Sequence, residues 1–405
     1  MPPLYLDNAA STRISDEVLA VMTDVMRTAW GNPSAQHPQG AAARAYIETA
    51  RRRLLTAFGD PPGDHPGATS IGDIVWTSGC TEADALAVLG AAHTRPGAIV
   101  VSSIEHPAVG ALAARLGESR ATVLIEPGSD GVIDPEAVAR AAHDAAVVAI
   151  VMVQNEIGVV QPVAAIARAV RRANPACHIH VDAAQAFGKV PLEVSVIGAD
   201  SIAIAGHKLH GPKGVGALWL RAGTVLEPLW VGGGQQGGLR GGTQDAPGAA
   251  GLGLAAERAI AALPHARAHW LELAARITAH LTERGVAFRQ LVPDHRRSPH
   301  ILALGIAGVP AGALRTGLAS RGLYISTGSA CAERSGPEAG PLGSMTRGRD
   351  GHGHPSPVLV AIGLLPDAGM CRLSFGLETT SDDVDLAART LADVALELSR
   401  SRSSS

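Results

Sequence analysis

Lysine is almost missing from this chain. Among 34 Lys and Arg residues in 405, only Lys189, Lys208 and Lys213 are lysines, and all three fall within one window of 25 residues. Aromatic residues are also scarce, at 3%, which leaves few platforms on which bases could stack. A formal net charge of −3 offers no excess positive field, so nucleic-acid binding is disfavoured. No run of about 18 uncharged apolar residues occurs, so no membrane span is expected. The opening MPPLYLDNAAS lacks the charged and apolar regions of a secretory signal. The four cysteines, Cys80, Cys177, Cys331 and Cys371, lie far apart without CxxC spacing. That excludes a zinc ribbon, leaves no metal site to expect, and argues against a disulfide framework. Free thiols in a reducing, cytoplasmic setting fit best.

What is present is a large apolar fraction, 46%, in a chain long enough for about two or three domains. With so few aromatics, the core must be built from Ala, Val, Leu and Ile. Short apolar runs of strand length occur at Asp73–Thr77, Ala98–Ser102, Val147–Val153, His178–Val181 and Ser201–Ala205. Helical stretches lie between them, at Glu82–Ala92, Pro107–Leu116, Pro135–Ala145 and Val163–Ala173, after earlier ones at Asp16–Thr28 and Ala41–Phe58. Such alternation predicts an α/β fold with a mostly parallel central sheet and helices on both faces. Residues 231–248 carry eight glycines and mark a change of composition. A helical stretch at Ala249–Arg284, interrupted by Pro264, then leads into a smaller α+β unit, with strands near His300–Gly305 and Met370–Phe375 and a last helix at Asp382–Leu398. The expected organisation is a large domain over 15–255, a small domain from 1–14 and 256–400, and a disordered tail at 401–405. Residues 332–355, rich in Gly, Pro, Arg and His, read as a long loop.

Polar residues cluster where these strands end, and in open α/β sheets ligands sit beyond the carboxyl ends of the strands. TSGCTE (77–82) follows the first strand and opens a helix, whose free N–H groups suit a phosphate. Glu105 and His106 follow the second strand, Gln154–Glu156 the third, Asp182 and Gln185 the fourth, and Lys208 the fifth. Taken alone, Asp182 reads more readily as a helix cap, and His106 as a satisfied buried histidine. Together they meet the needs of pyridoxal phosphate: a lysine to tether it, a carboxylate for its ring nitrogen, donors for its phosphate and phenolic oxygen, and a planar group over its ring. A lysine desolvated at a strand end loses its proton near neutral pH and can attack a carbonyl.

The segments YLDNAAST (5–12), GNPSAQH (31–37), TSGCTEA (77–83), EHPAV (105–109), QNEIGVVQP (154–162), HVDAAQAFGK (180–189), AGHKLHGPKGVGAL (205–218), GGGQQGGLRGGT (232–243), STGSAC (326–331) and RLSFGLETT (372–380) carry a further signal. In this order they resemble the cysteine desulfurases of the fold-type I, class V aminotransferase-like family over nearly the whole chain. The resemblance implies pyridoxal 5'-phosphate as cofactor, L-cysteine as substrate and a homodimer. By the same resemblance Lys208 tethers the cofactor, Asp182 holds its pyridine nitrogen, Gln185 donates to its phenolic oxygen, and His106 stacks on the ring and helps move protons. Cys80, Thr81 and His207 hold the phosphate, with Thr243 reaching the phosphate of the neighbouring subunit. Asn155 contacts cofactor or substrate, Arg372 grips the substrate carboxylate, and Asn32 is placed with the substrate-binding residues. Cys331 receives the sulfur as a persulfide and passes it to an acceptor protein, while Cys371, on an apolar strand, is structural.

Departures from the family pattern are visible. Ala205 stands where a serine is usual, removing one phosphate hydroxyl, and Cys80 stands where alanine is usual. The loop after Cys331 is longer than in the family. Selenocysteine lyase or another class V aminotransferase-like activity, and a non-catalytic cofactor-binding scaffold, are the alternative readings. The acceptor is open among iron–sulfur cluster assembly, tRNA thiolation, DNA modification and a dedicated biosynthetic pathway.

Overall fold

The computed structural model describes residues 3–61, 70–328, 356–364 and 369–403. The chain enters through a two-residue strand, β1 (Leu4–Tyr5), and then builds a seven-stranded sheet from β2 (Gly72–Thr77), β3 (Ala98–Ser102), β4 (Thr122–Ile125), β5 (Ala145–Val151), β6 (His178–Asp182), β7 (Ser201–Ala205) and β8 (Gly216–Arg221). Their order across the sheet is β2-β8-β7-β6-β5-β3-β4. Only β8 runs against its neighbours, pairing antiparallel with both β2 and β7. The carboxyl ends of β2, β3, β5, β6 and β7 therefore share one rim.

Every residue of β5, β6 and β7 is buried, as expected for central strands covered on both faces. Alternation divides them between two layers. Val148 and Ile150 join the core that also holds Val18, Ile47 and Leu252, while Val147 and Ala149 pack with Leu86, Val88 and Val109 on the other face. Small residues replace bulky ones at the closest approaches. A Cβ on Gly253 would come within 2.7 Å of the Ala50 Cα, so the helices Pro38–Ala57 and Ala246–Glu283 touch almost backbone to backbone.

A second unit is formed by β9 (Phe288–Gln290), β10 (Ile301–Ile306) and β12 (Gly369–Ser374), paired antiparallel with β10 in the middle, while β11 (Leu323–Tyr324) pairs with β1. The 38-residue helix Ala246–Glu283 joins the two units. Its buried residues through Ala259 belong to the core of the large sheet, and those from Ala266 onward to the second core, together with Leu6.

Several boundaries differ from the expected ones for clear reasons. β8 was hidden behind the glycine turn that precedes it, and β4 is a four-residue edge strand too short to announce itself. The long helix is not interrupted at Pro264: that residue is exposed, so the helix forgoes one backbone bond there while packing on both sides holds it together. The last helix continues to Ser403, so residues 401–403 are helical rather than part of a disordered tail. Cys331 and the loop 332–355 lie outside the described residues.

Candidate active site

The rim of the large sheet opens into a cavity of about 510 Å³. Lys208, His106, Asp182, Gln185, Cys80, Thr81, Asn155, His207 and Arg372 all line it, although they come from positions spread over nearly 300 residues. Thr243 and Asn32 do not. Both are exposed outside the chain's own cavity, and Asn32 spends its side-chain oxygen on the Ser34 N–H at 2.9 Å.

Lys208 ends a short 3-10 turn, Gly206–Lys208, that leaves β7. Its Nζ donates to the carbonyls of Ala9 and Ala10, at 2.6 and 2.9 Å. Burial lowers its pKa to about 8, and the charge of Arg372 adds to that effect. Lys189 lies behind it, buried, with its Nζ donating to the Lys208 carbonyl at 2.8 Å. Burial, aided by the charge of Lys208, takes Lys189 to about 7.

At the opposite wall, Gly79 adopts φ 156° and ψ 179°, a backbone state reserved for glycine, and caps the helix Cys80–Thr94 without any side-chain bond. The first-turn N–H groups of a helix have no partner within it, so this end presents donors and a positive dipole to an anion. The thiol of Cys80 does not join them. It turns to the Asp182 carboxylate, with Sγ 3.4 Å from Oδ1.

Asp182 closes β6 and also accepts the Ala184 N–H at 2.9 Å. His106 caps the helix Pro107–Leu116 by accepting the Ala108 N–H on Nδ1 at 3.1 Å. In the neutral ring the proton therefore sits on Nε2, and burial favours that neutral state by lowering the pKa. Glu105, just before it, takes the Ser102 hydroxyl and the Val151 N–H on Oε1, tying the ends of β3 and β5 together. Its pKa is pushed up to about 8 by burial. Gln185 donates to the Ala9 carbonyl at 2.7 Å and accepts from His300 at 3.2 Å. His207 contacts the Ser11 hydroxyl at 3.3 Å, and burial with the nearby Lys208 charge lowers its pKa to about 4.

Arg372 comes from the second unit, on β12. Only 2% exposed, it is not the surface ion pair that its residue type alone suggests. One Nη donates to the Asn155 carbonyl at 2.7 Å, the other to Asp7 at 2.6 Å, and its buried Nε has no partner among the described residues. Its backbone pairs with Ser326, Arg372 N donating to Ser326 O at 2.7 Å. Cys371 beside it is fully buried, and burial pushes its thiol up to about 12, which suits an inert side chain.

The donor set fits a phosphorylated pyridine aldehyde: an amine whose pKa is lowered to about 8, a carboxylate, a helix start free of side-chain caps, and a guanidinium at the cavity wall. The model of the class-V aminotransferases matches residues 4–386. The chain belongs to that family. It is 33% identical to a cysteine desulfurase of Sinorhizobium fredii, with 99% of each chain covered. It is 32% identical to a selenocysteine lyase of Bos taurus, covering 98% of this chain and 94% of that one. A solved NifS-like protein superposes with a TM-score of 0.83 at 30% identity, covering 98% of this chain and 99% of the other. Among described residues, no helix is long and apolar enough to cross a membrane.

Some contributors to this class-V site escaped sequence reasoning. The carbonyls of Ala9 and Ala10, the Ser11 hydroxyl and the Asp7 carboxylate all come from the first dozen residues. The run YLDNAAST was visible, but nothing local said that it folds across the sheet rim.

Proposed function

We propose that the protein is a pyridoxal phosphate-dependent cysteine desulfurase, converting L-cysteine to L-alanine and leaving the sulfur as a persulfide on Cys331. The observation that carries this reading is Lys208: an amine with its pKa near 8, in one cavity with Asp182 and Arg372. Lys208 would tether the cofactor, Asp182 would pair with its ring nitrogen, Gln185 would meet its phenolic oxygen, and the helix start at Cys80 and Thr81 with His207 would receive its phosphate. When bound, the cofactor supplies an electron sink next to the substrate α-carbon.

The chain's own groups do the rest. Arg372, whose side chain lines the cavity, would take the α-carboxylate, and Asn155 borders the same space. Lys208, whose lowered pKa makes it a usable base, would remove the α-proton, and His106 could pass a proton through Nε2. The Cys331 thiolate would attack the substrate sulfur, so that an S–S bond forms as the C–S bond breaks. Two protons complete alanine: one delivered to Cβ, from the proton the substrate thiol gives up, and the α-proton returned to Cα by Lys208. Support for Cys331 comes from its tether. Ser326 pairs with Arg372 at the cavity, and Cys331 follows five residues later in the chain. From there sulfur passes to an acceptor protein. Thr243, and Asn32 with it, would serve the site across a homodimer, since neither reaches the chain's own cavity. The free thiols Cys80, Cys177 and Cys371 suit a cytoplasmic setting.

The test is single-turnover chemistry. Lys208→Ala should abolish alanine formation and the borohydride-reducible link to the cofactor. Cys331→Ala should abolish sulfide release from cysteine while leaving that link intact. The likeness to a selenocysteine lyase gives the second reading its weight: if Cys331→Ala still releases selenide from selenocysteine at the wild-type rate, that activity becomes the native one.

A further inference from the structure

Alternation along β6 puts His178, His180 and Asp182 on one face of the strand, and the helix Cys80–Thr94 turns Cys80 and Asp84 toward them from positions i and i+4. The result is a chain of polar contacts inside an otherwise apolar layer. Asp182 Oδ1 meets Cys80 Sγ at 3.4 Å, which in turn lies 3.8 Å from Asp84 Oδ1. Asp84 Oδ1 meets His180 Nε2 at 3.1 Å. Ser201 Oγ then joins His180 Nδ1 at 2.9 Å and His178 Nε2 at 2.8 Å. Two atoms of this chain are buried without a partner among the described residues: Asp84 Oδ2 and His178 Nδ1.

The two orphans fix where the protons are. A bare ring nitrogen is tolerated in the interior more readily than a bare N–H. His178 therefore carries its proton on Nε2 and donates to Ser201, whose hydroxyl donates to His180 Nδ1, leaving His180 to donate from Nε2 to Asp84. Both imidazoles are then neutral, in keeping with pKa values held down by burial. Asp84 gains no cation from them. The ionisable groups that act on it are Cys80 on its own helix, His180 and Asp182 on β6, and the buried Glu105 after β3, itself held mostly protonated with a pKa of about 8. The thiol and the two aspartates offer oxygen and sulfur atoms within 4.8 Å of one another. Two carboxylates so close in the interior cannot both ionise. Asp182 has a backbone N–H, a thiol donor and the open cavity, whereas Asp84 has one donor and a bare oxygen, so Asp84 is the one that keeps a proton. Burial and the Asp182 charge both push its pKa well above the carboxylate range.

We propose that Asp84 is a neutral acid, and that with His180 and the Cys80 thiol it forms a buried positioning strut that leaves Asp182 the single negative charge under the cofactor ring. Since Asp84 does not claim the thiol proton, Cys80 donates to Asp182. That bond, made to the Oδ1 that also accepts the Ala184 N–H, draws charge from the carboxylate and makes Asp182 a weaker base than it would be with alanine at position 80. The strut's effect on the ring nitrogen rests on the cofactor reading above; the protonation of Asp84 does not.

Infrared difference spectra of the full chain without cofactor, at pH 7, test the first part. Asp84→Asn should lose a carboxylic-acid carbonyl band distinct from the one lost in Glu105→Gln. Loss of carboxylate bands alone in Asp84→Asn overturns the proposal. Should that variant fail to fold, carboxyl-13C aspartate labelling of the wild type reads the same property: one aspartate resonance in the acid position supports it, and none overturns it. The second part is read on the cofactor-loaded protein with 15N in the pyridine ring. Cys80→Ala should shift the ring nitrogen signal away from its fully protonated position, because a more basic Asp182 draws on the shared proton, and Cys80→Ser should return it toward wild type. No shift in Cys80→Ala, or an Asp84→Asn shift as large as that of Asp182→Asn, overturns the strut. If the chain takes up no cofactor, the infrared result still stands, so the two failures are distinct.

Discussion

Lys208 owes its reactivity to where its neighbours come from. Two carbonyls from the first ten residues hold its ammonium, and burial with the Arg372 charge brings its pKa to about 8. The sign for capture of pyridoxal phosphate follows. The neutral amine reacts, so the rate for the cofactor-free protein should climb to a plateau through pH 8, not 10.5. At pH 8 about half of Lys208 is neutral, against roughly 0.3% of an unperturbed lysine. Stopped-flow absorbance checks this, and a midpoint above pH 10 removes the desolvation argument. For stability, the folded chain binds fewer protons at Lys208 than the unfolded chain between about pH 8 and 10.5, so this group's unfavourable contribution is relieved as pH rises through that window. Much of the site was legible at this scale, because Lys208, Asp182, Gln185 and His106 each follow an apolar run and strand ends converge. Asp7, Ser11 and Asp84 were not. Asp7 and Ser11 matter through contacts formed 196 or more residues away, and Asp84 looks like any polar residue in a helix until its burial is known.

Among the elements, β8 bears most directly on the phosphate end of the cavity. Gly216 opens it, and a Cβ there would fall 2.6 Å from the Gly79 backbone and 2.7 Å from the Ile204 carbonyl. Neither neighbour is a flexible side-chain tip, so the helix start must move. Gly216→Ala should weaken cofactor binding about tenfold or more, corresponding to ~1.4 kcal/mol, in an absorbance titration. An unchanged affinity would mean that the helix start does not hold the phosphate. The sequence pattern supplied the strand–helix alternation well, with β3 and β7 and the helices Pro107–Leu116 and Val163–Ala173 found to the residue. It missed β8, where an apolar run abuts a glycine turn with no covering α-helix between it and β7. The unbroken helix through Pro264 was equally hidden, because proline signals a stop locally while the packing that overrides it involves two separate cores.

At the scale of the molecule, the chain joins a large, mostly parallel-sheet unit to a smaller antiparallel one through the N-terminal segment after β1 and the helix Ala246–Glu283, and Arg372 crosses from the second unit into the cavity of the first. Under the proposed function, Thr243 and Asn32, exposed and outside the cavity, would serve the site only in an assembly. Sedimentation should therefore give twice the 41.3 kDa of one chain. Mixed dimers of Lys208→Ala with Thr243→Ala chains should contain one fully intact site and one that lacks both groups, so about half the wild-type activity should return. A monomer that turns over cysteine at full rate would strip Thr243 of its assigned role.

The scarcity of lysine has a practical outcome at the bench. Lys189 is buried, Lys208 is half-buried inside the cavity, and Lys213, the one exposed lysine, sits on the lip of that cavity. Amine-directed dyes, crosslinkers and coupling resins will find Lys213 and the terminal amine and little else. Peptide mass mapping of a succinimidyl-labelled sample should show that pattern, and an enzyme grafted to a bead through Lys213 will face the bead with its entrance shut.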